Sequence, residues 1–177
     1  SNITSLSLTL TGMGPKTCKR LATSLSAVLT TLRCGSNPGM VGELYSNGSL
    51  KTPDVHIEAL QDLLNALKPS GVTELDISAI GIGPTGADHV ADYVRDATAA
   101  VLKKVVLSQN FVFGSKKLGR RTVHDDDADQ TGWSALCDVL PAAPLEELIV
   151  ADVGMGVTGV TSLAKAISSM AVVNNVA

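Results

Sequence analysis

Five short stretches of the chain share one spacing of apolar side chains, written L-x-x-L-x-L, with Leu, Ile, Val or Cys at the spaced sites. The frame falls at Ile3, Leu6 and Leu8; at Leu29, Leu32 and Cys34; at Val72, Leu75 and Ile77; at Leu102, Val105 and Leu107; and at Leu145, Leu148 and Val150. Its starts lie 26, 43, 30 and 43 residues apart, so short and long units alternate, and Leu29 to Leu102 and Val72 to Leu145 are each 73 residues apart. Apolar and polar positions that alternate over so few residues predict a β-strand. A fixed internal period predicts stacked, repeated units.

The segment after each strand differs between the two kinds of unit. Short units run into a Gly-apolar-Gly turn (Gly12 to Gly14, Gly81 to Gly83, Gly154 to Gly156) and then into helical spacing at Leu21 and Leu25, Val90 and Val94, and Leu163 and Ile167. Long units reach Asn37 or Asn110 three residues after the last strand apolar. Their later helices align position for position, Leu60, Leu63, Leu64 and Leu67 against Trp133, Leu136, Cys137 and Leu140. Asp54 and Asp129 stand where an N-cap of these helices is expected, and the proline-bearing segments 68–71 and 141–144 stop them. The expected units are 3–28, 29–71, 72–101, 102–144 and 145–177, with inserts at 39–53 and 111–128 between strand and helix. A single βα unit of this length cannot bury its own apolar side, whereas stacked neighbours share a continuous core.

This frame resembles leucine-rich repeats, and the Gly-x-Gly turn leading into a helix is similar to the ribonuclease-inhibitor-like subclass. That group includes the sensor regions of intracellular nucleotide-binding receptors and a Ran GTPase-activating protein. The resemblance implies an α/β solenoid, curved, with parallel strands on the concave face and helices on the convex one. It also implies a protein-binding scaffold that catalyses nothing; a regulatory module acting on an enzyme such as a GTPase, or an architectural spacer, are the alternatives. One site departs from the pattern. The position held by Asn37 and Asn110 in the long units is Thr11, Ile80 and Val153 in the short ones, so the backbone groups of those turns need another partner, for which the glycine-rich backbone itself is the candidate.

Composition narrows the function classes. Apolar residues make up 45% and aromatics 3%, which leaves the core to Leu, Val, Ile and Ala. A net charge of −3 supplies no global basic field for nucleic acid or an anionic membrane, and no apolar run is long enough to span a bilayer. Cys18, Cys34 and Cys137 form neither an even framework nor a CxxC pair, which points to a reducing, cytoplasmic setting. All three fall at inward positions and read as core thiols. The start lacks a signal-peptide pattern, and neither end shows a polar capping unit. The expectation is a piece of a longer array, or ends covered by neighbouring repeats or self-association.

Two surfaces are candidates for binding. On the concave face the outward strand positions bring Glu74, Lys104 and Glu147 into a row of alternating sign, with Arg33 beside Asp76. The plainer reading is mutual neutralisation, since no cluster of exposed aromatic or Arg side chains marks a hot spot. The inserts, one period apart, are expected at one edge. The first contains Tyr45, and the glycine, serine and charge of 42–52 suggest mobility there. The second sets Lys116, Lys117, Arg120 and Arg121 before His124, Asp125, Asp126, Asp127 and Asp129, which reads either as a basic contact or as a loop pairing with its own acidic half. The spacing of Asp125, Asp127 and Asp129 opens like a calcium loop, but Gln130 replaces the required Gly and Leu136 the bidentate Glu, which excludes an EF-hand. His56, His89 and His124 fall in three different units without a nucleophile or metal motif. His89 is expected on the exposed side of its helix. No cofactor and no metal site is implied.

Overall fold

The computed structural model describes residues 3–96, 102–114, 116–118, 121–123 and 126–173, and of 116–118, 121–123 and 171–173 it describes the backbone. Five three-residue strands carry the centres of the five frames: β1 Ser5–Ser7, β2 Thr31–Arg33, β5 Glu74–Asp76, β6 Lys104–Val106 and β9 Glu147–Ile149. They form one parallel sheet in the order β1-β2-β5-β6-β9. Leu6, Leu32, Leu75, Val105 and Leu148 lie in one register row across it. The three inner members of that row are at most 1% exposed, while Leu6 and Leu148 on the edge strands are half-buried.

Each main strand is followed by a helix: α1 Pro15–Ala22, α2 Ile57–Leu67, α3 Pro84–Asp96, α4 Thr131–Val139 and α5 Val157–Val173. Successive helices pack on one another in chain order, matching the strand order. The aliphatic stripe expected on α2 and α4 is buried throughout, from Leu60 to Leu67 and from Trp133 to Leu140. Three apolar positions depart from expectation. Ile3 is exposed because it precedes edge strand β1; Leu25 lies beyond the end of α1; and Ile167 points outward from α5, which turns Leu163 and Ala166 inward instead. The inserts contain two antiparallel hairpins, β3 Glu43–Leu44 with β4 Leu50–Thr52, and β7 Lys116–Leu118 with β8 Arg121–Val123. The segment 42–52 is therefore a paired structure, tied further by Lys51 Nζ donating to Glu43 at 2.7 Å.

The units are locked together by Asn37 and Asn110, both buried. Asn110 donates from Nδ2 to the carbonyl of Leu107 in its own unit and to that of Ile77 in the preceding one, at 2.9 and 2.8 Å. Its Oδ1 accepts from the backbone N–H groups of Ile80, Gly81 and Ile82 at 3.1 to 3.2 Å. Asn37 does the same for the first unit, donating to Leu8 and accepting from Met13 N–H. The first two short-unit turns are thus satisfied by the next unit's asparagine. Gly81 has a separate steric role. It has φ +91°, and a Cβ there would stand 2.6 Å from both the Pro38 carbonyl and the Gly42 nitrogen of the preceding insert.

One non-glycine residue after each main strand takes a left-handed conformation: Leu10, Ser36, Ala79, Gln109 and Asp152, with φ from 48° to 58°. Such backbone is uncommon outside Gly, Asn and Asp. The first four are held by N–H groups that donate to carbonyls of the next unit (Gly35, Ser78, Ser108 and Ala151) at 2.8 to 3.2 Å. Lateral pairing between units decides the conformation here.

Candidate functional site

The outward face of the sheet is a ladder of charges. In register, Thr31, Glu74, Lys104 and Glu147 form one row, and Arg33, Asp76, Val106 and Ile149 the next. Lys104 pairs with Glu147 at 2.7 Å, as the alternation in sign suggests. Arg33 stands opposite Asp76 but bonds elsewhere: its guanidinium donates to Glu74 at 3.1 Å. Asp76 instead accepts from the Ser78 N–H and hydroxyl at 2.9 and 2.6 Å, both at Oδ1, which ties that oxygen to its own turn. Around these residues is a shallow depression of about 240 Å³ floored by Leu75, Val106 and Ile149. Its ion pairs are roughly half exposed, and pairs in such settings contribute about 0 to 1 kcal/mol each. They set the polarity of the surface more than they hold the fold.

The second candidate surface is the rim where the strands end. Both inserts leave at that edge, one after β2 and one after β6, two units apart. On the first hairpin Leu44 and Tyr45 are 37% and 42% exposed. Leu44 lines a groove of about 330 Å³ together with Met13, Pro38 and His56. On the second, Lys116 and Lys117 lie on β7 and Arg121 on β8, with Lys117 opposite Thr122 and Leu118 opposite Arg121. Arg120, His124 and Asp125 lie outside the described residues. The sheet-face residues and the hairpin residues thus form two separate groups, one on the face and one at its edge.

Both inserts are fastened by a device that the sequence did not disclose. Asp54 does not cap its own helix α2. It reaches forward to α3, where its carboxylate accepts from the N–H groups of Gly83, Thr85 and Gly86 at 2.7, 2.9 and 3.1 Å. Asp127 repeats the arrangement on α5, accepting from Gly156, Thr158 and Gly159 at 2.9, 2.7 and 3.0 Å. A carboxylate there meets both unsatisfied amides and the positive end of the helix. Asp129 serves its own helix, accepting from Thr131 N–H at 2.9 Å. The 73-residue period was the available signal, because it carries Asp54 to Asp127 and not to Asp129.

The two equivalent carboxyls titrate in opposite directions. Burial between two layers pushes Asp54 above the ordinary range, against the pull of its three N–H donors and of His89. At Asp127 desolvation acts in the same sense but is outweighed by hydrogen bonds from Gly156, Gln130, Thr158 and Gly159, so its carboxyl is held below the ordinary value. With its carboxylate committed to backbone amides, Asp127 is not disposed as the ligand of a calcium loop. Among the described residues no three His, Cys, Asp or Glu side chains are grouped to hold a metal ion.

His89 is half-buried, contrary to its expected exposure. Its Nε2 lies 2.8 Å from Gln61 Nε2, in a groove between α2 and α3. The cysteines are buried and unpaired. Burial pushes the Cys18 and Cys34 thiols up to about 12 and that of Cys137 to about 11, which removes thiolate reactivity near neutral pH. Among the described residues no helix is long and apolar enough to cross a membrane.

No protein-family model and no curated protein matches the chain. Solved structures do. The C-terminal domain of tropomodulin from Caenorhabditis elegans superposes over 98% of this chain and 87% of its own, with a TM-score of 0.60 and 8% sequence identity. At that identity the likeness is one of fold: a mixed α/β, leucine-rich-repeat-like arrangement.

Proposed function

We propose that the chain is a non-catalytic protein-binding scaffold. In this reading it is one leucine-rich-repeat solenoid of alternating short and long units, similar in pattern to the ribonuclease-inhibitor-like subclass. A protein partner lies across the sheet face and is gripped at its edge by the two hairpins. The observation that carries this reading is the matched anchoring of the inserts, in which Asp54 and Asp127 clamp equivalent points onto the following helices. Extra segments that recur at one place in a repeat and are held by the same bonds form a reproducible surface. Exposed Tyr45 adds the amphipathic contact area that interfaces favour. The chain's unpaired thiols support a reducing compartment. On the far side Val157 and Val160 of α5 are 84% and 54% exposed, which supports a further unit or a second copy packing there.

The test is affinity capture with the wild type and with a variant whose residues 115–125 are replaced by a short Gly-Ser linker, leaving Asp127 in place. Loss of the partners captured by the wild type, with an unchanged circular dichroism spectrum, is expected. Identical partner sets for the two proteins would sink the proposal.

A further inference from the structure

The outward positions of the main sheet carry three carboxylates, Glu74, Asp76 and Glu147, against two cations, Arg33 and Lys104. Each cation is matched by a glutamate, Arg33 by Glu74 at 3.1 Å and Lys104 by Glu147 at 2.7 Å. Three acids less two bases leave one negative charge in excess, and it falls on Asp76. Among the described residues no Lys, Arg or His forms an ion pair with it.

Asp76 is held in place and yet left open. The bonds that it accepts from the Ser78 N–H and hydroxyl both arrive at Oδ1, and among the described residues none arrives at Oδ2. Gly35 on the neighbouring layer preserves that geometry. Its backbone is not left-handed, but a Cβ there would stand 2.6 Å from Ser78 Oγ and 3.1 and 3.3 Å from the two oxygens of Asp76. A side chain at position 35 would push the carboxylate out of its turn.

Beside Asp76 in the same register row stand Val106 and then Ile149, which with Leu75 floor the depression of about 240 Å³ on this face. Adjacent strands lie about 4.8 Å apart, so a side chain whose head meets Asp76 lays its stem over Val106. A carboxylate with one open oxygen, next to a short apolar strip, suits a group that is cationic at its tip and aliphatic along its length, as lysine and arginine side chains are. An anionic group would meet three carboxylates here. A wholly apolar one would strip water from Asp76 and give it no partner in exchange.

We propose that this depression receives a basic side chain, arginine or lysine, from a protein partner, with its head on Asp76 Oδ2 and its stem along Val106 and Ile149. This rests on the scaffold reading and gives the partner lying on the sheet face a chemistry.

The probe is the peptide acetyl-Leu-Arg-Leu-amide, titrated into the isotope-labelled whole chain and followed through its backbone amide resonances. The shifts should centre on Asp76, Val106 and Ile149. Asp76→Asn keeps the shape and an oxygen for Ser78 while removing the charge, and it should weaken binding about fivefold, the upper end for one half-exposed ion pair. Arg33→Gln removes the cation that shares this corner and should tighten binding. Val106→Thr puts a hydroxyl into the apolar floor and should weaken it. The same peptide with citrulline in place of arginine, alike in shape but uncharged, should move the amides little. The proposal is overturned by shifts that gather elsewhere, by equal affinity in Asp76→Asn, or by equal binding of the citrulline peptide. If that happens while replacement of residues 115–125 still abolishes partner capture, the basic-partner proposal falls and the scaffold reading stands. If the peptide behaves as expected while that replacement leaves the captured set unchanged, the depression stands as a site and the grip by the hairpins falls.

Discussion

Replacing Asn110 by Ala is the most demanding test of how the units hold together. The amide makes five bonds to backbone groups, two donated and three accepted, and its side chain is fully buried. Each buried backbone group left without a partner costs about 1 to 3 kcal/mol. The five do not count equally, because three N–H groups share one oxygen at 3.1 to 3.2 Å, and a water entering the vacated space can serve one or two of them. The expected loss is therefore about 3 to 5 kcal/mol, a large part of the roughly 5 to 15 kcal/mol that stabilises a typical domain. Urea unfolding followed by the fluorescence of Trp133, the chain's single tryptophan, gives the loss directly, since Trp133 is buried in α4 of the same unit. Asn110→Asp is the control for shape. It keeps the volume but turns acceptor lone pairs toward the carbonyls of Ile77 and Leu107, so it should destabilise as much as Ala. A loss under about 1 kcal/mol for Asn110→Ala, or wild-type stability for Asn110→Asp, would refute the claim that this amide joins two layers.

Three further outcomes rest on the same contacts. Asp54→Ala leaves the first amides of α3 uncapped and should cost about 1 to 2 kcal/mol in thermal or urea unfolding, at the upper end of ordinary cap losses because one carboxylate serves three amides. Stability against pH should separate the two carboxyls. Asp54, raised in the folded state, binds its proton more tightly than in the unfolded chain, so its contribution declines as pH rises from 3.8 through the folded value. Asp127, lowered, contributes above 3.8 and loses that contribution as pH falls through its folded value. Comparing the wild type with Asp54→Asn and Asp127→Asn between about pH 2.5 and 6 should give differences of opposite slope, and parallel slopes would contradict the assignment. Gly132→Ala would drive a Cβ into the Pro84 carbonyl and against Ala87, where α4 meets α3, and should cost at least about 2 kcal/mol by calorimetry despite the better helix propensity of Ala.

The hairpin and the sheet face differ in how far the sequence foretold them. The order Glu74, Lys104, Glu147 followed from equal frames in parallel register, and the structure keeps it. The choice of Glu74 over Asp76 by Arg33 did not follow, because it depends on Ser78 holding Asp76 in its own turn. Tyr45 was legible as an aromatic in an insert, yet the groove that its neighbour Leu44 lines with Met13 and His56 required the chain to fold back over an earlier unit.

The sequence by itself determined the repeated βα frame, the alternation of short and long units, the buried stripes of α2 and α4, and the position of both inserts along the chain. Each of these depends on local spacing, because apolar side chains at fixed intervals must share one face of a strand or helix. Only the tertiary structure decided what passes between units. Asn37 and Asn110 serve the turn before their own, Asp54 and Asp127 cap the helix after it, and Leu10 and Ala79 adopt a backbone that neither residue favours alone. In every such case the partner is a backbone N–H or C=O group. All residues carry these groups alike, so side-chain pattern cannot point to them; they become specific once two layers are in contact.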